Sequence, residues 1–178
     1  ATRDSSEVLA TLADIVGTGS APYVRGARFM RGVKAHDTDT LARKLVVGHS
    51  IGAVNPEEEA QLSSVRTATG GYAVAKGWRS AETHDILLGL RYLAAIGSPL
   101  AEATAKQLAA VQNNDGSFGP AHDVATTGNA LAAMYPVRHM PQVSTAVLAG
   151  LKFVISEARG DGSIGEISEP THDTLWGV

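Results

Sequence analysis

The 178-residue sequence contains no cysteine. Disulfides, thiolate zinc sites and any cysteine nucleophile or thioester are therefore excluded. Aromatics are scarce, with two Trp, four Tyr and three Phe, a thin supply for any cavity meant to stabilise cations on ring faces. No apolar run reaches the roughly 18 residues needed to cross a bilayer, and the N-terminal stretch lacks a basic segment leading into an apolar one. The expectation is a soluble, cytoplasmic protein with no membrane span. Its 15 Lys and Arg are scattered and the formal net charge is −3, so there is no basic stripe for nucleic acid or anionic lipid. Strand signals are few. With 44% apolar residues the chain can bury a sizeable core, and one domain spanning 1–178 is the expectation.

What is present is an internal repeat. The loop Asp115-Gly116-Ser117-Phe118-Gly119 returns as Asp161-Gly162-Ser163-Ile164-Gly165. A His-Asp pair opening an apolar run occurs four times, as His36-Asp37, His84-Asp85, His122-Asp123 and His172-Asp173, with steps of 48, 38 and 50 residues. Periods in this range belong to stacked helical pairs, each too small to bury its apolar face alone.

Along the chain, Asp4-Ser5-Ser6-Glu7 has capping-box spacing before Val8, Leu9, Leu12, Ile15 and Val16, which predicts a first amphipathic helix. Pro22 to Ala35 reads as irregular, with Gly26 and Gly32 set among Arg25, Arg28, Arg31 and Lys34. Those cations form either a solvated loop or a place to meet an anionic substrate. A short helix is expected from Asp37 to Val47. Asn55-Pro56-Glu57-Glu58-Glu59 is a strong helix start, echoed by Ser98-Pro99 and more weakly by Met140-Pro141.

The segments behind Pro99 and Pro141 are amphipathic, whereas Ile86 to Leu90 and Val124 to Met134 carry no charge and read as buried helices. The pattern predicts an all-α chain of about three and a half hairpins in which inner and outer helices alternate. All inner helices would begin at one rim, which gathers the four His-Asp pairs around one mouth.

Gln112-x-x-Asp115-Gly116-Ser117-Phe118-Gly119, followed by Asp123-Val-Ala-Thr-Thr-Gly-Asn-Ala-Leu, resembles the repeat of squalene and other terpenoid cyclases and of protein prenyltransferase β subunits. The resemblance is clear over 84–134 and fainter around Gly70-Gly71-Tyr72 and over 157–178. It implies an α/α toroid, here an incomplete ring unless a second copy or a partner chain closes it. It also implies a hydrophobic, isoprenoid-like small-molecule ligand held within the ring. The zinc site of the prenyltransferase β subunit needs a cysteine that this chain lacks, so that activity is rejected. Asp37-Thr38-Asp39-Thr40 resembles the Asp-x-Asp-Thr variant of the class II cyclase motif. By that match Asp39 would be the acid that protonates an alkene or epoxide, with Asp37 and His36 beside it. Such chemistry asks for a carboxylic acid kept protonated in a dry pocket.

The other His-Asp residues, His84, Asp85, His122, Asp123, His172 and Asp173, are candidates to contact substrate. Trp78 and Arg79 share their rim and could stack on a ligand. Two readings stay open: each aspartate caps its helix while each histidine packs under a glycine loop, or several pairs converge on a metal, an anion or an acid–base task. No local His-x-x-x-His pattern supports a metal site, and no cofactor is specified. A non-catalytic scaffold that completes a ring with a partner chain, and a carbohydrate-active toroid, are the alternatives to an isoprenoid-binding domain.

Overall fold

In the computed structural model, residues 2–68, 71–73, 83–120 and 123–164 are described, with side chains from Ser5 onward. Eight α-helices account for most of them: α1 Thr2–Val16, α2 Ala21–Gly32, α3 Thr38–Ser50, α4 Pro56–Ser64, α5 Thr83–Ala95, α6 Leu100–Ala110, α7 Val124–Met134 and α8 Pro141–Ser156. A 3-10 turn, Tyr135–Val137, follows α7. Only isolated bridges, no strands, occur among the described residues. The all-α expectation holds.

Helix starts follow local chemistry. Asn55 caps α4 by accepting from Glu57 N at 3.0 Å ahead of Pro56. Asp37 caps α3 through Thr40 N at 2.7 Å, and Asp123 caps α7 through Thr126 N at 2.9 Å. In both caps the second carboxylate oxygen also accepts from the threonine hydroxyl, at 3.2 and 2.6 Å. One Asp-x-x-Thr device therefore opens two helices.

The stretch expected to be irregular, Pro22 to Ala35, is largely the helix α2. Its glycines disguised it. Pro22 sits in the first turn, where its missing N–H costs nothing, and Gly26 is a packing residue. A Cβ there would fall 2.7 Å from Leu9 Cδ2, so the bare backbone lets α1 lie close. Tyr23, Ala27 and Met30 then join Leu9 and Val47 in a separate small core.

Each even-numbered helix packs on the odd-numbered helix before it, and α1, α3, α5 and α7 pack in sequence as a row. The main core runs through α3, α5 and α7 and the helices packed on them. Ile86, Leu87, Leu88 and Leu90 are buried, as are Val124, Thr127, Asn129, Ala130, Ala133 and Met134 of α7, because helices flank them on several sides.

Three loops, after α4, α6 and α8, share one hydrogen-bond pattern. Thr67 N donates to Gly71 O, Asn113 N to Ser117 O and Arg159 N to Ser163 O, at 2.8, 2.9 and 2.8 Å. The donors stand 46 residues apart each time, at 67, 113 and 159. The repeat is thus regular in its loops; the 38-residue step from His84 to His122 is shorter than 46 because His84 lies 17 residues after Thr67 and His122 only 9 after Asn113.

In the latter two loops an aspartate folds back on its serine. Asp115 Oδ1 accepts from Ser117 N at 2.9 Å and Oγ at 2.7 Å, and Asp161 treats Ser163 identically. Gly116 and Gly162 take positive φ of 92° and 87°, a region that costs a side chain and not glycine. Gln112 Nε2 donates to Gly116 O and to Ala146 O, both at 2.8 Å, tying the loop to α8. Buried Thr127 Oγ1 accepts from Phe118 N at 2.9 Å, tying it to α7. The glutamine, the loop and the threonine helix are therefore one structural unit.

Candidate functional site

Asp39 lies in the first turn of α3 and His84 in the first turn of α5, two neighbours in the helix row. The neighbouring starts bring them together: His84 Nε2 is 3.8 Å from Asp39 Oδ2, an electrostatic contact too long for a direct hydrogen bond. One turn further along α3, Arg43 pairs through Nε with Asp39 and through an η nitrogen with Glu7 of α1. The same nitrogen donates to Ser6 Oγ at 2.9 Å. Arg91 of α5 reaches Glu7 at 3.6 Å.

Charges therefore alternate along a line drawn from three helices, Asp39, Arg43, Glu7 and Arg91, with the His84 ring at its Asp39 end. Arg43 is the most enclosed member, its side chain 4% exposed, against 12% for Glu7 and 32% for Asp39. A buried guanidinium is tolerable only when its donors are used on charged acceptors, and here two carboxylates and a hydroxyl take them. Burial opposes the charge on Arg43, and the two carboxylates more than offset it, so the group stays cationic.

Asp39 is held below its ordinary value of 3.8, at about 2. Partial burial pushes it up, but the His84 ring and the Arg43 guanidinium outweigh that. The acid role expected of Asp39 needs the reverse, a carboxyl that keeps its proton near neutral pH. Near His84 and paired with Arg43, Asp39 is held toward its ionised form. Asp37 does not assist it, because both of its oxygens are spent on Thr40 in the α3 cap. His36 is exposed.

Of the remaining expected site residues, Asp85 is buried at the start of α5, and Asp123 is the α7 cap. Trp78, Arg79, His122, His172 and Asp173 lie outside the described residues. Among the described residues, no three His, Asp or Glu side chains are placed to share a metal ion, and no helix is long and apolar enough to cross a membrane. Glu7, Arg43 and Arg91 were not singled out together by the sequence, because they are far apart in the chain and meet only once the row is assembled. Asp39 and Arg43, four apart on α3, were the local clue.

No protein-family model matches this chain, and no curated protein matches it.

Proposed function

We propose that this chain is a non-catalytic scaffold subunit with a terpenoid-cyclase-like α/α repeat fold, whose open helical array is extended at α8 by a second copy. The observation that carries this reading is a comparison of equivalent helices. In the 46-residue register of the loops, Ala105 of α6 corresponds to Leu151 of α8, and Ala109 to Ile155. Ala105 is 0% exposed and Ala109 packs on the core, whereas Leu151 is 43% and Ile155 70% exposed.

The small residues stand where α6 is covered, and the large apolar ones where α8 is bare. Leu148 continues the bare stripe one turn earlier. Apolar side chains at i, i+3 and i+7 form the seam by which one helix packs on another. At the other end of the row, α1 and α2 expose Val8, Ile15, Val16 and Phe29. Two apolar faces among the described helices support head-to-tail association, with α8 of one copy against α1 and α2 of the next.

The charges agree with a structural role, since Asp39, Arg43, Glu7 and Arg91 each have a neighbour of opposite sign. The test is solution mass. Self-association predicts a species heavier than 18.4 kDa, and Leu151→Glu with Ile155→Glu returns it to the monomer without loss of helicity. A wild-type chain that stays monomeric at about 100 μM, well above the Kd of a stable interface, refutes the reading.

A second reading keeps the isoprenoid-like ligand and class II cyclisation, favoured by the meeting of Asp39 with His84 where two inner helices start. It requires a ligand that displaces Arg43 or excludes water so that Asp39 gains a proton. Turnover of a linear isoprenoid, abolished by Asp39→Asn in a folded protein, would support it; no turnover by the wild type would remove it.

A further inference from the structure

On the other side of α3 from the charge line lies a cleft of about 270 Å³ between α2, α3 and α4, lined by Arg31, Lys44, Leu45, Val54, Asn55 and Glu58 among others. At the ~30 Å³ that a water occupies in the liquid, it has room for about nine water-sized groups. Its polar groups are unequally used. Lys44, only 10% exposed, donates through Nζ to Val33 O at 2.8 Å and to Glu58 Oε1 at 2.5 Å. An ammonium has three protons, so one donor of Lys44 is left for the cleft. Asn55 spends its carbonyl oxygen on the α4 cap, and its amide N–H groups have no acceptor among the described residues. Arg31, in the last turn of α2, is exposed and forms no salt bridge among the described residues.

Donors therefore outnumber acceptors. Arg31, Lys44 and Glu58 sum to one net positive charge, while Leu45 and Val54 supply an apolar wall. The shape of the cleft depends on Gly48, where a Cβ would press on Ala53 O at 3.1 Å in the turn that forms one side.

We propose that this cleft binds a small polar molecule through one oxyanion, a phosphate or a carboxylate, held by the Arg31 guanidinium with the Asn55 amide and the Lys44 ammonium. A guanidinium matches two oxygens of such a group at once. The free oxygen of Glu58 accepts from a hydroxyl on the same molecule. Of the cations around Gly26 and Gly32, Arg31 thus lines a cleft.

The experiment is calorimetric titration of the full chain with sodium phosphate, glycerol 3-phosphate and succinate at low salt. The expected result is saturable one-to-one binding that weakens as salt is added. Glycerol 3-phosphate should bind more tightly than phosphate, and succinate decides between the two oxyanion types. Arg31→Gln should weaken binding by about ten-fold or more, the effect of one charge-assisted contact, and Lys106→Gln on α6 should leave it unchanged. Absence of saturable binding by all three probes overturns the proposal. So does equal weakening by both variants, which would mark diffuse charge attraction. Self-association plays no part in this readout, so the scaffold reading and the cleft fail separately.

Discussion

Replacing Arg43 by Met keeps most of the side-chain volume and removes the cation between Asp39 and Glu7. Leaving a buried charge without its partner costs roughly 3–5 kcal/mol when the site is fully enclosed. Here both carboxylates retain a second neighbour, His84 at 3.8 Å and Arg91 at 3.6 Å, and Asp39 is 32% exposed. We therefore expect about 2–3 kcal/mol of destabilisation at pH 7.

An independent estimate comes from Asp39. A carboxyl held from 3.8 down to about 2 corresponds to about 2.5 kcal/mol at 1.36 kcal/mol per pKa unit, which solvent screening reduces to about 1–2 kcal/mol. The sign is fixed by linkage. A group whose folded pKa is depressed stabilises the fold above its unfolded pKa and loses that contribution as pH falls through the folded value. The window is therefore pH 4 to 2.

Urea unfolding of wild type, Arg43→Met, Asp39→Asn and the double variant, at pH 7 and across that window, checks both claims. The double-mutant cycle should give a coupling of about 1–2 kcal/mol at pH 7, shrinking as Asp39 takes up its proton. A coupling below about 0.5 kcal/mol, within the scatter of independent sites, would show that the pair is geometric only and refute the energetic argument.

Two further outcomes follow from packing and capping. Asp37→Ala and Asp123→Ala should each cost about 1 kcal/mol in thermal or urea unfolding, and Asn at either position should recover much of it by keeping an acceptor for the N–H of Thr40 or Thr126. Gly89→Ala places a methyl 2.1 Å from Tyr72 Cδ2 in the core, so overpacking should cost about 1–3 kcal/mol or more. Shrinking the ring with Tyr72→Leu should partly rescue it, which circular dichroism melts will register.

The fold was legible where one residue type has one strong local preference. Asn55-Pro56 announced α4, and uncharged runs announced α5 and α7, because a helix apolar all round has only the core to occupy. It was illegible where a local signal had a long-range cause. Gly26 reads as a breaker by itself, yet Leu9 makes it necessary within a helix. The 46-residue period was hidden for a similar reason: the His-Asp pairs drew the eye, while the constant feature was a backbone hydrogen bond whose residues differ, Thr67, Asn113 and Arg159.

The candidate site shows the same limit in a sharper form. A motif fixes which side chains are near each other along the chain, but not the protonation state that decides their chemistry. Asp39 sits at the motif position of an acid, yet the His84 ring and, four residues later on its own helix, Arg43 hold it below the usual carboxylate range. That arginine is buried, so it must itself be neutralised, and Glu7 of α1 does this together with Asp39. Once α1 lies against α3 through Leu9 and Val47, the charges on both sides are committed to each other. Acid catalysis at Asp39 would require breaking an arrangement that also fastens the first helix to the row. Loss of that first helix should therefore raise the pKa of Asp39 by exposing Arg43 to water, a shift readable by NMR titration of the carboxyl carbon in a chain lacking Thr2–Val16; no upward shift relative to the full chain would locate its control in His84 and Arg43 alone.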